Sequence, residues 1–325
     1  MRAWRIHELG DPIQRLVLDE VAEPELGPGR VLVEVEAVGL AFPDVLQCRG
    51  EYQVKPPLPY CPGSETAGRV SAVGDGVDAA LVGRRVVALG GGLAERVVLP
   101  EGSVFELPDS LEATKAVAVP MNYGTTWFAL HDRAHLAAGE TLLVTGAAGG
   151  VGSAAIQLGR AAGARVIAVA GGAEKVAACE ALGADAVIDH REVEDLVERV
   201  RELTDGRGVD VAYDPVGGEI FQQVRRCMAW DGRLLVIGFV AGIPELKTNH
   251  VLLKNYSVVG VHWGASLARD PGSLGRQMAS VFGLAADGAV DPLLHPPYAF
   301  ADAPRALQDI ADRKAIGKVV ADLRI

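Results

Sequence analysis

The chain has 325 residues, of which 49% are apolar and 22% are charged, and its formal net charge is −11. This length suits about two domains with a sizeable core. The negative charge, without a basic run that carries interleaved aromatic residues, argues against nucleic acid as a partner. The opening MRAWRIHELGDP lacks the apolar core of a signal peptide, and no apolar run approaches the roughly 20 residues that span a bilayer. We therefore expect no membrane partner and a cytoplasmic location.

The first third of the chain predicts a β domain. Apolar residues alternate with glutamates in VLVEVEA, residues 31–37, and further short runs are separated by Gly and Pro: AGRVSAVG, RRVVALG and AERVVLP. This pattern is typical of antiparallel or mixed sheets. We predict that residues 1–122 form this domain. The tail, 266–325, with a helix near 275–286, a last helix and the strand KVVADL, is expected to complete it.

Residues 123–265 predict an α/β domain. Short β-branched runs alternate there with helical patterns, one of which repeats apolar residues at helical spacing over 193–203. Such alternation is typical of βαβ units around a parallel sheet. It predicts a Rossmann doubly wound parallel sheet with six strands: TLLVTG, ARVIAVA, DAVIDH, VDVAYDPVG, GRLLVIG and YSVVGVHW.

A glycine-rich string, VTGAAGGVGSAAIQ, follows the first of these strands and opens a helix. Ala147, Gly149 and Gly152 fall at the i, i+2 and i+5 spacing of a dinucleotide loop, in which small residues allow a tight turn, close approach to a pyrophosphate and close helix packing. The first place holds Ala instead of Gly, so the string is a variant. A helix N-terminus with free amides can bind a pyrophosphate without a basic side chain. We interpret the string as a phosphate-binding loop and not as a simple turn.

The end of the second strand indicates which dinucleotide binds. An Asp or Glu there would hold the ribose 2′-hydroxyl of NAD, but this chain has Gly171 and Gly172. Lys175 follows, and His190 and Arg191 stand at the end of the third strand. Each of these cations alone is typical of a protein surface, whereas the three together favour binding of the 2′-phosphate of NADPH.

The chain resembles the zinc-independent quinone oxidoreductase branch of the medium-chain dehydrogenase/reductase superfamily over essentially its whole length. The resemblance implies a GroES-like β domain completed by the C-terminal segment, a Rossmann domain, a cofactor cleft at their junction, and commonly a dimer. It also implies that Lys175 and His190 occupy the places of the Lys and the ring that hold the 2′-phosphate, with His instead of the usual Tyr. The strings that carry the resemblance are GEYQVKPPLPYCPGSETAGRVSAVG, AAGGVG, LGADAVIDHRE, DGRGVDVAYDPVGGEIF, GRLLVIGFVAG, LLKNYSVVGVHWG and RKAIGKVV.

Candidate site residues follow from these patterns and from the resemblance. Tyr52, in the GEY string, is the candidate for orienting the substrate. The candidate cofactor-binding residues are Thr125, Ala147, Gly149, Gly150, Val151, Gly152, Gly171, Lys175, His190, Arg191 and Phe239.

No metal site is predicted. Zinc-dependent relatives place a Cys and a His where this chain has Ala41 and Ser64, so two of the about four ligands that Zn²⁺ needs are missing. Glu65 remains and is interpreted as a structural carboxylate. The family's N-F-x-D string reads AFPD here, and we interpret Phe42 as a core residue and Asp44 as the N-cap of a short helix.

A histidine pair and one cysteine are further candidates for a site. His131 and His135, four apart in HDRAH, would share one helix face but lack a third ligand, and we interpret them as surface histidines. Cys61 has no neighbour in sequence that would lower its pKa, so we interpret it as an inert thiol.

The leading functional hypothesis is a zinc-free, NADPH-dependent oxidoreductase that transfers hydride to a quinone or a similar planar small molecule. One alternative is a reductase of the C=C bond of enals, enones or enoyl thioesters, which would share every motif above. A second is an NADPH-binding sensor or structural protein. We expect a homodimer whose Rossmann sheets join through the strand at 256–263, because an exposed β-branched edge would otherwise aggregate.

Overall fold

Two units, each with its own sheet, are present in the computed structural model, which describes residues 1–107 and 111–325. The first unit comprises Met1–Met121 and Pro292–Ile325, and the second comprises Asn122–Asp291. The strands are β1 Arg2–Ile6, β2 Leu16–Glu20, β3 Arg30–Leu40, β4 Glu65–Val73, β5 Arg85–Leu89, β6 Arg96–Pro100, β7 Val104–Glu106, β8 Thr141–Val144, β9 Arg165–Ala170, β10 Ala186–Asp189, β11 Val209–Asp214, β12 Met228–Val236, β13 Ser257–Gly260, β14 Tyr298–Ala299 and β15 Val319–Asp322.

Helices alternate with the strands of the second unit and are fewer in the first. They are α1 Pro12–Arg15, α2 Phe42–Arg49, α3 Ala113–Ala116, α4 Pro120–Trp127, α5 Gly150–Ala161, α6 Ala173–Ala181, α7 Leu196–Leu203, α8 Gly218–Cys227, α9 Thr248–Lys254, α10 Trp263–Arg269, α11 Ser273–Ala286 and α12 Ala303–Ala311. Short 3-10 turns and a π-helical segment, Phe128–Arg133, are also present among the residues described. Among the residues described, no helix has the length and apolar character needed to cross a membrane.

The first unit is built on a largely antiparallel sheet whose order is β14-β15-β3-β4-β5-β7, with β6 also paired to β3. The alternation in the sequence is confirmed, because Val31, Val33 and Val35 are buried while Glu34 between them is exposed. The final strand β15 pairs antiparallel with β3, so the end of the chain rejoins the first unit as expected.

The second unit contains a parallel sheet of order β10-β9-β8-β11-β12-β13. All six predicted strands are present. The order is that of the doubly wound fold, with the reversal between β8 and β11, where ligands bind beyond the carboxyl ends of the strands. Each residue of β8 is buried, which explains why this strand is a continuous apolar run without alternation.

The predicted domain boundary at 266 differs from the division of the chain, in which residues 266–291 belong to the second unit. Side-chain hydrogen bonds explain the difference. The Trp263 indole N–H donates to Gln277 Oε1 on α11 at 2.8 Å, and Gln277 Nε2 donates to Asp132 at 3.3 Å. Gln157 on α5 donates to the Asp291 carbonyl at 2.7 Å, so the chain leaves this unit only after Asp291.

Two local predictions are wrong. His131 and His135 do not share a helix face, because the π-helical segment ends at Arg133 and His135 adopts a left-handed φ of 50°. The N-cap of α2 is Ala41, and Asp44 is the third residue of the helix, from which its carboxylate bonds back to the Ala41 amide.

Candidate active site

The glycine-rich loop of the second unit forms a tight turn between β8 and α5. Gly146 has a left-handed φ of 55°, and Gly149 caps the N-terminus of α5. The Ala147 N–H donates to the Val169 carbonyl of β9 at 3.1 Å, which holds the turn against the neighbouring strand. A Cβ atom at Gly152 would lie 2.3 Å from the Gly146 oxygen and 2.7 Å from the Ala147 Cα, so this close approach requires glycine.

The first turn of α5 presents backbone amides at the switch point of the sheet. In any α-helix the amides of the first residues, here Gly150, Val151 and Gly152, lack carbonyl partners within the helix. A Cβ atom at Gly150 would lie 2.8 Å from the side-chain nitrogen of Asn122, so glycine is what allows the Asn122 side chain to lie against this helix end. The loop therefore fits a dinucleotide pyrophosphate, which binds to amides and to the positive end of a helix.

The ends of β9 and β10 form a cationic corner next to this loop. A Cβ atom at Gly171 would lie 2.4 Å from His190 Nε2 and 3.1 Å from Arg191 Nε, so both side chains lie over this glycine. Both are exposed, and Lys175 is half-buried in the first turn of α6. The structure thus brings His190 and Arg191 together at the end of the second strand. Glycine leaves room for them where an NAD-specific protein would have a carboxylate.

Asp189 is a residue of this corner that the sequence reasoning missed. It is the last residue of β10, and its carboxylate accepts hydrogen bonds from the Gly172 N–H at 3.0 and 3.1 Å and from the Arg191 N–H at 3.0 Å. The bond from the Arg191 amide, followed by the one from Gly172, lowers the pKa of Asp189. Asp189 therefore joins the β9–α6 turn to the segment that carries His190. An acid directly after a short apolar strand is the sequence signal that could have revealed it.

Asp214, also missed, joins the two central strands. Its buried carboxylate accepts from the Thr145 hydroxyl at 2.5 Å and from the Val216 and Gly217 amides at 3.0 and 3.3 Å. Burial raises the pKa of Asp214, and these hydrogen bonds oppose the rise. Because Asp214 ends β11 and Thr145 follows β8, this contact fixes the two edges of the crevice at the switch point.

Two candidate cofactor residues have no contact that assigns them a role. Thr125 is half-buried on α4, and Phe239 is 44% exposed in the segment that follows β12. Their place in a cofactor site stays a prediction. Tyr123 and Trp263, aromatic residues that fit either a substrate surface or a core, are 1% and 6% exposed and belong to the core.

The first unit carries a separate buried cluster around Asp44. The Asp44 side chain is fully buried, and it accepts hydrogen bonds from the Ala41 N–H at 2.7 Å, the Gly63 N–H at 3.1 Å and the Ser64 hydroxyl at 2.6 Å. Burial raises the pKa of Asp44, whereas these hydrogen bonds and the charge of Lys318 lower it. Gly63 reaches this geometry with a φ of 126°, and a Cβ atom there would meet Val38 at 2.8 Å.

Glu65 and Lys318 form a buried ion pair beside Asp44. Glu65 is 0% exposed and Lys318 is 2% exposed, and the second oxygen of Glu65 accepts from the Met121 N–H at 2.7 Å. Burial raises the pKa of Glu65, and the Lys318 charge opposes this. The interpretation of Glu65 as a structural carboxylate fits these contacts, with Lys318 of the closing RKAIGKVV string as its partner.

Tyr52 lies in the loop that follows α2 and is half-buried. Burial and then the nearby Asp44 raise the pKa of the Tyr52 hydroxyl, so this residue belongs to the same neighbourhood as Asp44 and Ser64.

Phe42, expected in the core, is only half-buried. Burial raises the pKa of Cys61 to about 12, which keeps this cysteine protonated and unreactive.

The residues around Asp44 do not fit a zinc ion. Ala41 offers no ligand atom, and the Ser64 hydroxyl and both Asp44 oxygens are engaged in hydrogen bonds with one another and with backbone amides. Within residues 1–107 and 111–325, no group of three or more His, Cys, Asp or Glu side chains is arranged to hold a metal ion.

Comparison with known proteins places these features in a family. Residues 27–109 match the alcohol dehydrogenase GroES-like domain, and residues 150–279 match the domain called zinc-binding dehydrogenase. A quinone oxidoreductase-like protein 2 homolog from Nematostella vectensis is 39% identical, over 98% of this chain and 88% of its own.

Two of the similar proteins have been solved in complex with NADPH. One is the quinone oxidoreductase of Thermus thermophilus, with a TM-score of 0.83, 36% identity, and coverage of 99% of this chain and 100% of its own. The other is a mycobacterial protein with a TM-score of 0.92 and 32% identity, covering 99% and 100%. The chain is thus a medium-chain dehydrogenase/reductase. Within that superfamily it belongs to the quinone oxidoreductase branch.

Proposed function

We propose that this protein is an NADPH-dependent oxidoreductase that reduces a quinone or a similar planar electrophile without zinc. The observation that carries the proposal is the cationic corner: His190 and Arg191 lie over Gly171, beside a dinucleotide loop in which Gly152 leaves no room for a side chain. The pyrophosphate would bind the first amides of α5, and Lys175, His190 and Arg191 would bind the 2′-phosphate. When bound, NADPH supplies the hydride.

The chain's own residues have a limited task in this reaction. They bind the dinucleotide, orient the acceptor and exclude water. Tyr52 is our candidate for contacting the acceptor, because it is half-buried next to the Asp44 cluster. A reduced quinone is a delocalised oxyanion that water can protonate, so quinone reduction needs no side-chain acid. If Tyr52 only orients the acceptor, Tyr52→Phe raises KM more than it lowers kcat.

A reductase of conjugated C=C bonds is the second candidate. The observation that favours it is the buried Asp44 carboxyl group in contact with the Ser64 hydroxyl, which is suited to proton transfer. The two functions are separated by their acceptors and products.

The test is steady-state oxidation of NADPH with a panel of quinones, enals and enoyl thioesters, before and after treatment with a chelator. We expect acceptor-dependent oxidation that survives chelation, with quinones among the best acceptors. Loss of activity on chelation, together with stoichiometric zinc in the purified protein, would refute the zinc-free assignment. Absence of oxidation with every acceptor would favour an NADPH-binding sensor or structural protein instead.

We also propose that the protein is a homodimer. The strand β13 is the last of its sheet, and Leu252 and Leu253 on the preceding helix α9 are 79% and 71% exposed. An unpaired edge beside exposed leucines favours pairing with a second copy. Light scattering at micromolar concentration is expected to give the mass of two chains, and the mass of one chain would contradict the proposal.

A further inference from the structure

A polar cavity of about 300 Å³ lies within the second unit, between the end of α4, the π-helical segment that follows it, and the helices α10 and α11. Its lining residues all belong to the stretches 127–132 and 266–280. None of the candidate cofactor-binding residues is among them. The volume is at the lower end of the range for small-molecule sites, so a ligand that fits the cavity must be small.

One face of α11 forms a wall of this cavity. Ser273, Gln277 and Ser280 recur at helical spacing and line it. Leu274 and Met278, on another face of the same helix, are buried in the core. The amphipathic pattern of α11 therefore gathers its polar side chains on the side of the cavity.

Three serine hydroxyls in the lining can only accept hydrogen bonds from a ligand. Each donates its one proton to the backbone carbonyl three or four residues earlier, at 2.7 Å from Ser266, 2.7 Å from Ser273 and 3.1 Å from Ser280. A carbonyl group cannot donate in return, so the hydroxyl oxygens have lone pairs left for a ligand and no proton. A ligand that matches them must be a hydrogen-bond donor.

The charged groups of the lining leave one net negative charge. Asp132 and Asp270 supply two carboxylates against the guanidinium of Arg276, which pairs with Asp270. Among the residues described, Asp132 forms no salt bridge, and it accepts a hydrogen bond from the neutral amide of Gln277 at 3.3 Å. Burial lowers the pKa of the neighbouring His131 from its ordinary value of 6.5, although the charge of Asp132 opposes this. His131 is therefore uncharged at neutral pH and does not balance Asp132.

Trp127 and Phe128 supply the apolar part of the cavity. Both are half-buried, and the centroids of the Trp127 and His131 rings are 4.1 Å apart, with the ring planes tilted by 39°. An indole ring attracts a cation to its face, and aromatic rings pack against an apolar body. The cavity thus combines hydrogen-bond acceptors and negative charge with an aromatic surface.

We propose that this cavity binds a small organic cation, in which a primary ammonium group is attached to an apolar body. The ammonium group donates to the Asp132 carboxylate and to the serine hydroxyls, and the apolar body contacts Trp127 and Phe128. An anion is repelled by the carboxylates and the lone pairs, and a neutral alcohol leaves Asp132 without a counter-charge. The site adds a second ligand to the proposed function and does not depend on it.

Calorimetric titration of the wild-type protein with three probes of similar shape tests the ligand class. The probes are phenethylammonium, the neutral 2-phenylethanol and the anion phenylacetate, in phosphate buffer because Tris is itself a primary amine. We expect phenethylammonium to bind about tenfold or more tightly than 2-phenylethanol, on the scale of a hydrogen bond to a charged group, and phenylacetate not to bind. Equal affinities for phenethylammonium and 2-phenylethanol, or no binding of phenethylammonium at millimolar concentration, would overturn the proposal.

Two substitutions should change the affinity in opposite directions. Asp132→Asn removes the carboxylate that lacks a salt bridge, so it should weaken phenethylammonium binding about tenfold and leave 2-phenylethanol binding unchanged. Arg276→Gln removes a cation from the lining and should tighten phenethylammonium binding about two- to fivefold. Asp287→Asn is the matched control, because Asp287 is exposed at the C-terminal end of α11 and does not line the cavity. Similar losses in Asp132→Asn and Arg276→Gln would contradict the assigned charge of the ligand.

Titration in the presence of excess NADPH separates this cavity from the cofactor site. The affinity for phenethylammonium should be the same with and without the nucleotide, because none of the candidate cofactor-binding residues lines the cavity. Competition between the two would assign the cavity to the cofactor site and overturn the proposal. If the protein oxidises NADPH with no acceptor, the proposed function fails, and the titration with phenethylammonium still decides this inference.

Discussion

Charged side chains are buried in the Asp44 cluster of the first unit, whereas they are exposed to solvent in the cationic corner of the second. In the cluster, Glu65 and Lys318 are buried and neutralise each other. In the corner, the side chains of His190 and Arg191 are exposed over a glycine. A buried charge loses its hydration and must be compensated within the protein, whereas an exposed charge remains hydrated and can bind an outside anion. Substitutions of Glu65 or Lys318 should therefore act on stability, and substitutions in the corner should act on ligand binding.

The largest effect is expected from Lys318→Met, which leaves Glu65 buried without its cation. We expect a loss of about 3 to 5 kcal/mol in the free energy of unfolding, measured by urea denaturation. Lys314→Met is the matched control, because Lys314 lies 2.8 Å from Asp312 in an exposed pair, and it should cause a much smaller change. The double variant Glu65→Gln with Lys318→Met should recover part of the loss. Equal effects of Lys318→Met and Lys314→Met would remove the distinction between the two regions.

The next effect concerns cofactor choice. Lys175→Ala should weaken NADPH binding by about 1.5 to 3 kcal/mol, roughly ten- to more than a hundredfold, and leave NADH binding unchanged, because only NADPH carries the 2′-phosphate. Calorimetric titration with both nucleotides measures this difference. Arg199→Ala on α7, where Arg199 pairs with Glu202 at 2.7 Å, serves as the control for lost surface charge. Equal weakening of NADPH binding and NADH binding by Lys175→Ala would show that the corner does not bind the 2′-phosphate.

The smallest effect should come from Asp189, whose pKa is lowered from its ordinary value of 3.8 by the Arg191 and Gly172 amides. An acid with a lowered pKa in the folded state stabilises the fold at pH values above its unfolded pKa, and this contribution is lost as pH falls through the folded pKa. The stability difference between wild type and Asp189→Asn should therefore be constant above about pH 5 and shrink on acidification. Denaturation curves between pH 3 and 6 measure it, and a difference that grows on acidification would reverse the assigned sign.

Much of the second unit could be predicted because its strands are continuous apolar runs and its helices have one apolar face. The tight glycine-rich turn after β8 and the glycine at position 171 are predictable for a similar reason, since glycine at these places has a steric cause that shows in the sequence. The boundary at 291 is not predictable in this way, because it depends on the contacts of Gln157 with Asp291 and of Gln277 with Asp132, and each pair is more than one hundred residues apart in sequence. Only the folded chain brings these groups together.

The Asp44 cluster shows a second limit of sequence reasoning. The position of Asp44 near a helix start predicts an N-cap, because local spacing carries no information about contacts with Ser64 or Lys318. Its actual donors come from Ala41 within the same turn and from residues 63 and 64 on the next segment. Asp189 escapes prediction for a related reason: the acid that holds the NAD ribose is expected at the end of the second strand, whereas Asp189 ends the third.

The most direct test of the central claim, hydride transfer from NADPH to a planar acceptor without metal, is a single-turnover experiment with NADPH deuterated at C4. The enzyme is mixed with 1,4-naphthoquinone, and NADPH oxidation is followed by absorbance in parallel with an absorption spectrum of the purified protein. We predict slower oxidation of the deuterated cofactor, in the manner of a primary isotope effect, and a protein spectrum without flavin. Equal rates for the two cofactors under conditions where chemistry limits the turnover, or a bound flavin, would contradict direct transfer.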